Sequence, residues 1–562
     1  MKWIKNSFRK IKRGFNNSCI FLGYGALGAT ALSLILECSI FRGQEILILD
    51  GQDEPVAPQL PFLGDQGVSS FYPIGKALFR AITDPHIKKV LINVEGYHWG
   101  VGEVQQIRYL IKRLQEAGKQ VVGYGYGFGM AAGGILPYYT LSACGTKYMN
   151  HLGYLAPEGL SVQPLYWRKL LDLLKVRPQF IKKEEYKSGP NSYVFSQMPS
   201  EEKESWTTLL AQWKGQLVRD MSKDLGKKVA EVDTFIEGGR YQALEAVEQK
   251  FVDNVAVCFD QVVEKESANH EKVFVNNYVS KGSLYRKLAR LWHRRALAVV
   301  RIEGALGSQS MAEAERYFEV FSNIANNPSI KAVLVYVDSP GGSPKDAETL
   351  RYGMELCLKK NIPVVISMGN VAASGAYWIS AQASKIWALP GTVTGSIGVY
   401  TGKFDVQELL KFFEVGTEKI STTKGKTDGK AESLLEPWSA EQKKDIERQV
   451  EFLYEHFLGI VSKNRKLPLS KVRQLAKGRI YTGQEALDHK LIDRLGGFFE
   501  ALEDLKKEYG HNIPVYDYTP QSIPFFLRFL FSALSHEVQS RLSYFFKNSA
   551  TELKISQEYK VQ

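Results

Sequence analysis

At 562 residues the chain is too long for one ordinary hydrophobic core, so two or more domains are expected. Its 44% hydrophobic and 23% charged content excludes a disordered chain. The net charge of +12 is diffuse, with no zinc-finger spacing or RNA-binding aromatic signature, so nucleic acid is not an expected partner. The five cysteines (Cys19, Cys38, Cys144, Cys258, Cys357) are scattered and odd in number, which excludes a disulfide framework and leaves room for a single bridge.

Residues 1–18 are basic, with Lys2, Lys5, Arg9, Lys10, Lys12 and Arg13 ahead of an apolar stretch. That stretch, CIFLGYGALGATALSLIL at 19–36, carries no charge over 18 residues, a length that crosses a bilayer as a helix. Basic residues before it predict a cytoplasmic N-terminus, a body on the far side and contact with anionic lipid. Ala29-Thr30-Ala31 has the small-x-small form of a cleavage site, but a cut there would leave SLIL exposed. The expectation is an uncleaved single-pass anchor.

The body is a repeat. KKVLINVEG, VQQIRYLIKRLQEAG and KQVVGYGYG are answered by KAVLVYVDSPGG, AETLRYGMELCLKKN and IPVVISMGN. Both sets alternate β-branched runs with helical periodicity, which predicts an α/β fold with buried parallel strands joined by helical crossovers. LLDLLKV is matched by ELLKFFEV, and GGRYQALEAVEQKFVDNV by KGRIYTGQEALDHKLIDRL. The copies run over about 45–262 and 296–510, with a polar-then-basic linker at 263–295. In the tail, 511–562, the segment IPFFLRFLFSALSHEVQSRLSYFFK suits either an interfacial helix or an oligomer contact.

One elbow differs between the copies. NVAASGAYWIS at 370–380 holds Ser374 where GMAAGGILPYY at 129–139 holds Gly133. A serine is a nucleophile only if a base takes its proton and donors hold the resulting oxyanion. Ser374 stands where a tight strand-to-helix turn is expected; its ordinary alternative is an N-cap. SPGG at 339–342 follows the run VLVYV, and paired glycines let backbone N–H groups approach a ligand. The first copy has GYHW at 96–99 in that place, so it lacks both features. Of nine histidines none stands in a pattern that suggests a triad, which leaves a lysine base whose pKa burial would have to lower from about 10.4. Composition does not choose among lysines.

GNVAASGAYWIS, DSPGG, TGSIGVY and EYKSG, set within this duplication, resemble the signal peptide peptidase A family in its long form. The resemblance covers nearly the whole chain. It implies two tandem domains related to the Clp protease and crotonase superfamily, and a Ser/Lys dyad whose serine, Ser374, belongs to the C-terminal copy. The lysine then falls in the N-terminal copy, on Lys187 of Tyr186-Lys187-Ser188. Gly341 and Gly342 fall on the oxyanion hole, and Ser396, 22 positions after the nucleophile, on the serine that orients the amine. Aligning LLDLLKV with ELLKFFEV carries Lys187 onto Lys426, the alternative base.

The implied activity is hydrolysis of hydrophobic peptides, chiefly signal peptides left after preprotein cleavage. The implied setting is the inner (cytoplasmic) membrane, with the catalytic body on the periplasmic side and a homotetrameric ring as the assembly. No metal or organic cofactor is expected, for want of a Cys/His cluster, a Walker loop or a dinucleotide fingerprint. The rival readings are a crotonase-like acyl-CoA enzyme and a catalytically inactive membrane-associated ring scaffold.

Overall fold

The computed structural model describes residues 45–50, 71–129, 134–267, 270–280, 295–307, 314–420 and 431–520. Residues 19–36, Gly133, Lys426 and the tail beyond 520 lie outside them. Among the described residues no helix is long and apolar enough to cross a membrane.

The first half supplies β1 (Glu45–Asp50), α1 (Phe71–Thr83), β2 (Ile87–Asn93), α2 (Val101–Glu116), β3 (Gln120–Gly125), α3 (Ile135–Ser142), β4 (Thr146–Asn150), β5 (Tyr154–Leu155), α4 (Arg168–Leu173), β6 (Arg177–Lys182), α5 (Ser200–Leu225), β7 (Tyr241–Gln242), β8 (Asn254–Ala256) and β9 (Glu271–Phe274). The second supplies β10 (Ala296–Glu303), β11 (Ile330–Ser339), α6 (Pro344–Lys359), β12 (Val364–Ala373), α7 (Gly375–Ser380), β13 (Lys385–Ala388), β14 (Val393–Gly395), β15 (Tyr400–Asp405), α8 (Gln407–Phe412), α9 (Ala440–Arg465), β16 (Ile480–Thr482), β17 (Arg494–Leu495), α10 (Phe498–Tyr509) and β18 (Val515–Asp517).

The first sheet has the order β8-β4-β3-β2-β1-β9 and is wholly parallel. The second runs β16-β14-β12-β11-β10-β18, with β13 on β12 and β17 on β13. It is parallel except where β16 meets β14. Continuous apolar runs such as Val333–Val337 sit at its centre because both faces of a parallel sheet are covered. The edge strands β9 and β18 lie beyond residues 262 and 510, where sequence self-similarity fades. Each is added beside the first strand of its own half. Short edge strands need few apolar residues, so they leave little pattern to align.

The halves do not fold as separate beads. One hydrophobic cluster runs from Leu47, Leu78 and Ile107 of the first half to Val299, Tyr336 and Phe499 of the second. Helix α2 is driven against the second half, and its polar residues there are buried and paired. Gln106 accepts from Phe499 N–H at 3.1 Å and donates to Glu500 at 2.6 Å; Gln105 accepts from Gly391 N–H at 2.7 Å. Each buried amide would be costly unpaired, so these bonds also fix the relative placement of the halves. On the other side β6 and β15 form an antiparallel ribbon, Phe180 opposite Gly402. That ribbon carries the chain segment after β6 across to the second half.

Candidate active site

Ser374 stands between the end of β12 and the start of α7, as the N-cap of that helix. Its φ of 56° and ψ of −121° put a side-chain-bearing residue in left-handed territory, a strained strand-to-helix elbow. Such strain is held only where the surroundings over-determine it. Here they do. Ser374 N–H donates to Gly395 O at 2.9 Å, and Ser374 O accepts from Trp378 N–H at 2.9 Å.

A bulge sets the approach to this elbow. Val337 of β11 pairs with Met368 of β12, but Ser339, two residues on, pairs with Ala372. Strand β12 therefore carries two extra residues opposite Asp338. The Asp338 carboxylate accepts from Val371 N–H at 3.0 Å and from Asn370 Nδ2 at 3.3 Å. Asn370 Oδ1 in turn accepts from Glu103 N–H of α2 at 3.0 Å, so the first half touches the bulge directly. Burial first, then Glu103, raises the Asp338 pKa from 3.8 to about 7.

The glycine pair Gly341-Gly342 lies against the elbow. Gly341 has φ +96°, and a Cβ there would lie 2.6 Å from Gly375 N and 2.9 Å from the Ser374 Cβ, so the close turn requires glycine. Its N–H, however, donates to Ser339 Oγ at 3.1 Å. The N–H groups of Gly342 and Gly375 are also backbone donors beside the elbow. Gly375 opens α7, so its N–H has no acceptor within the helix. Gly375 was not singled out in the sequence, although the residue directly after such an elbow is a general place to look for a backbone donor.

Lys187 follows β6 and its ribbon with β15. Lys183 N–H donates to Val399 O at 2.9 Å and Tyr186 N–H to Lys477 O at 3.1 Å, which turns the chain inward. Lys187 is 4% exposed. Its Nζ lies 2.9 Å from Ser374 Oγ, 2.9 Å from Ser396 Oγ and 3.0 Å from Ser396 O. Thus Lys187, Ser374 and Ser396, drawn from both halves of one chain, converge on one point. Burial pushes the amine from 10.5 down to about 7. The consequence is large: at pH 7 a lysine at 10.4 is neutral in about one molecule in 2,500, one at 7 in about half. Among the described residues, no group of three or more His, Cys, Asp and Glu side chains is placed to hold a metal ion. Cys144, Cys258 and Cys357 are free thiols.

In the first half the residue that opens α3 with positive φ is Gly134, at φ 70° and ψ −155°. Backbone geometry therefore sets Gly134, one position beyond the sequence-matched Gly133, against Ser374. Helix α3 has eight residues where α7 has six, which displaces the sequence register around the elbow.

The chain has relatives of known class. The family model described as peptidase family S49 matches residues 113–273 and 357–512, one segment in each half. Protease 4 of Haemophilus influenzae is 27% identical over 86% of this chain and 80% of its own length. Serine protease SPPA, chloroplastic, of Arabidopsis thaliana is 28% identical over 78% of this chain, and the aligned region spans 65% of that protein. Protease 4 of Salmonella typhi is 25% identical over 77% of this chain and 71% of its own length. The resemblance read from the elbow, DSPGG, TGSIGVY and EYKSG motifs thus extends along most of the sequence. With both halves matched over more than half its residues, the chain belongs to peptidase family S49.

Proposed function

We propose that the protein is a serine endopeptidase with Ser374 as nucleophile and Lys187 as general base, the two drawn from opposite halves of one chain. The observation that carries this reading is the 2.9 Å approach of the Lys187 amine to the Ser374 hydroxyl at a buried site. A neutral amine has two N–H donors and one lone pair. The donors suit Ser396 O and Ser396 Oγ, and the lone pair then faces the Ser374 O–H.

In the forward step the amine takes the Ser374 proton as Oγ bonds to the peptide carbonyl carbon, and the carbonyl oxygen becomes an oxyanion. The N–H groups of Gly342 and Gly375 stabilise it, with Gly341 shaping the turn rather than donating. The Lys187 ammonium returns its proton to the departing amine, leaving an acyl ester on Ser374. The same amine then activates water, and hydrolysis restores both groups.

Hydrophobic peptides, chiefly signal peptides remaining after preprotein cleavage, are the proposed substrates. The motif resemblance supports this class, and the relatives named Protease 4 support peptidase activity. Residues 19–36 are the proposed membrane anchor, with the body extracytoplasmic and assembled as a homotetrameric ring. The resemblance and the uncharged run support these two points.

The experiment is cleavage of an apolar fluorogenic peptide by Ser374→Ala and Lys187→Ala, beside labelling by a serine-directed acylating probe. Both variants lose cleavage, and Ser374→Ala also loses the label. Cleavage retained in Lys187→Ala would move the base to Lys426. Thioester turnover without peptide cleavage in the unaltered protein would replace the reading with the acyl-CoA one.

A further inference from the structure

The repeat ending KGRIYTG is matched in the first half by GGRYQAL, and its placement in the second half is specific. We propose that the loop Lys477-Gly478-Arg479 is the element that sets the Lys187–Ser374 geometry, with Arg479 as a positioning residue that clamps the lysine-bearing turn. This rests on the dyad reading above.

The loop's main chain holds base and orienting serine together. Lys477 O accepts from Tyr186 N–H at 3.1 Å, Gly478 N–H donates to Ile397 O at 3.0 Å, and Arg479 O accepts from Ser396 N–H at 2.8 Å. Residues 186 and 396, one from each half, therefore hang from two positions of one short loop. Gly478 has φ +77°, and a Cβ on it would lie 2.5 Å from Lys187 N, 2.7 Å from Lys187 Cα and 2.8 Å from Lys187 Cβ. The obstacle is largely backbone, so any side chain at 478 displaces the lysine itself. The matching Gly239 of the first half has φ −61° and ψ 129°, an extended residue. The left-handed glycine occurs only in the half that carries the serine.

The side chains close the clamp. The Arg479 guanidinium lies 4.3 Å over the Tyr186 ring and donates from Nη2 to Glu204 Oε1 at 2.8 Å. The Tyr186 hydroxyl donates to Glu204 Oε2 at 2.9 Å. Lys477 Nζ donates to Glu185 Oε1 at 3.0 Å. Arg479, Tyr186 and Glu204 form a closed triangle beside Lys187. Half-exposed ion pairs of this kind contribute little to global stability. Their geometry bears instead on where the amine sits, and small displacements of a catalytic group are costly in rate.

The test uses the full chain and reads kcat, KM, the pH midpoint of kcat and Tm for Arg479→Ala, Arg479→Lys and Gly478→Ala. Arg479→Ala lowers kcat about tenfold and Gly478→Ala up to about 10²-fold, with KM changed by less than about twofold. In both, the midpoint of the ascending limb rises from about 7 toward the ordinary lysine value as water reaches the amine. Tm of Arg479→Ala stays near that of the unaltered protein. Arg479→Lys, which keeps the charge but not the planar stack, recovers part of kcat. Unchanged kcat and midpoint in Arg479→Ala overturn the proposal, whatever happens to Tm, and this variant decides if Gly478→Ala does not fold. Failure of the dyad reading looks different: Lys187→Ala would still cleave, or the unaltered protein would lack the limb near pH 7.

Discussion

The two halves of the molecule share a packing device and differ in what surrounds it. In the second, Tyr377 of the elbow helix is fully buried and donates to Leu491 O at 2.8 Å. In the first, Tyr138 of the corresponding helix is fully buried and donates to Phe251 O at 2.9 Å. Each ties its elbow helix to the end of its repeat. Around Ser374 lie a close glycine turn and a buried amine. Around Gly134 the matching loop 96–99 presents Tyr97 and Trp99, stacked at 4.1 Å, on a cavity of about 610 Å³. The elbow is therefore kept for packing in both halves, while the proposed chemistry belongs to one of them. Fold and site are separable even within one chain.

The sharpest way to break this comparison is to remove the chemistry. Ser374→Ala and Lys187→Ala should each lower kcat/KM by about 10³-fold or more, measured on an apolar peptide, with the fold intact by circular dichroism. Next in size is a stability effect. The folded lysine titrates near 7 and the unfolded one near 10.5, so between those values the unfolded state binds more protons and the unaltered protein gains stability as pH rises. Relative to Lys187→Met, which has no such group, that gain should approach about 4 kcal/mol between pH 7 and 10, read by urea unfolding of both proteins.

Asp338→Asn sharpens the assignment. Asp338 also titrates near 7, facing Glu103 and Glu303, with Asn370 and Val371 on its oxygens and Tyr336 beside it. Its folded pKa is raised, so the unaltered protein loses stability as pH climbs from about 4 through about 7, and Asp338→Asn should lose less. The ascending limb of activity should remain, because the amine and not this carboxyl sets it; a vanished limb would assign it to Asp338. The smallest expected effects test the other half. Lys426→Ala should leave cleavage unchanged. Gly134→Ser, where a Cβ meets nothing within 4 Å, should give no labelled serine in a Ser374→Ala background.

Much of the fold was legible. The β-branched runs at 90–92 and 333–337, alternating with amphipathic helices, announce parallel sheets, and the duplication is visible by alignment. Ser374 was legible as the single hydroxyl that distinguishes two Gly/Ala-rich elbows. Lys187 was not legible from composition, since 72 lysines and arginines look alike in a sequence; a motif resemblance pointed to it. The hydrogen bond from Gly341 N–H to Ser339 Oγ was illegible because a side-chain hydroxyl has several local partners to choose from. The bulge opposite Asp338 was illegible too, because strand register is set by the partner strand.

Residue order alone determined the class of fold, the repeat and the Ser374 elbow, because periodicity and turn chemistry are local properties of the chain. The distance between Lys187 and Ser374, the lowered basicity of the amine and the role of Gly478 were decided only in three dimensions. Those properties depend on burial and on residues 187 to 291 positions apart being brought together by the β6–β15 ribbon and the shared core.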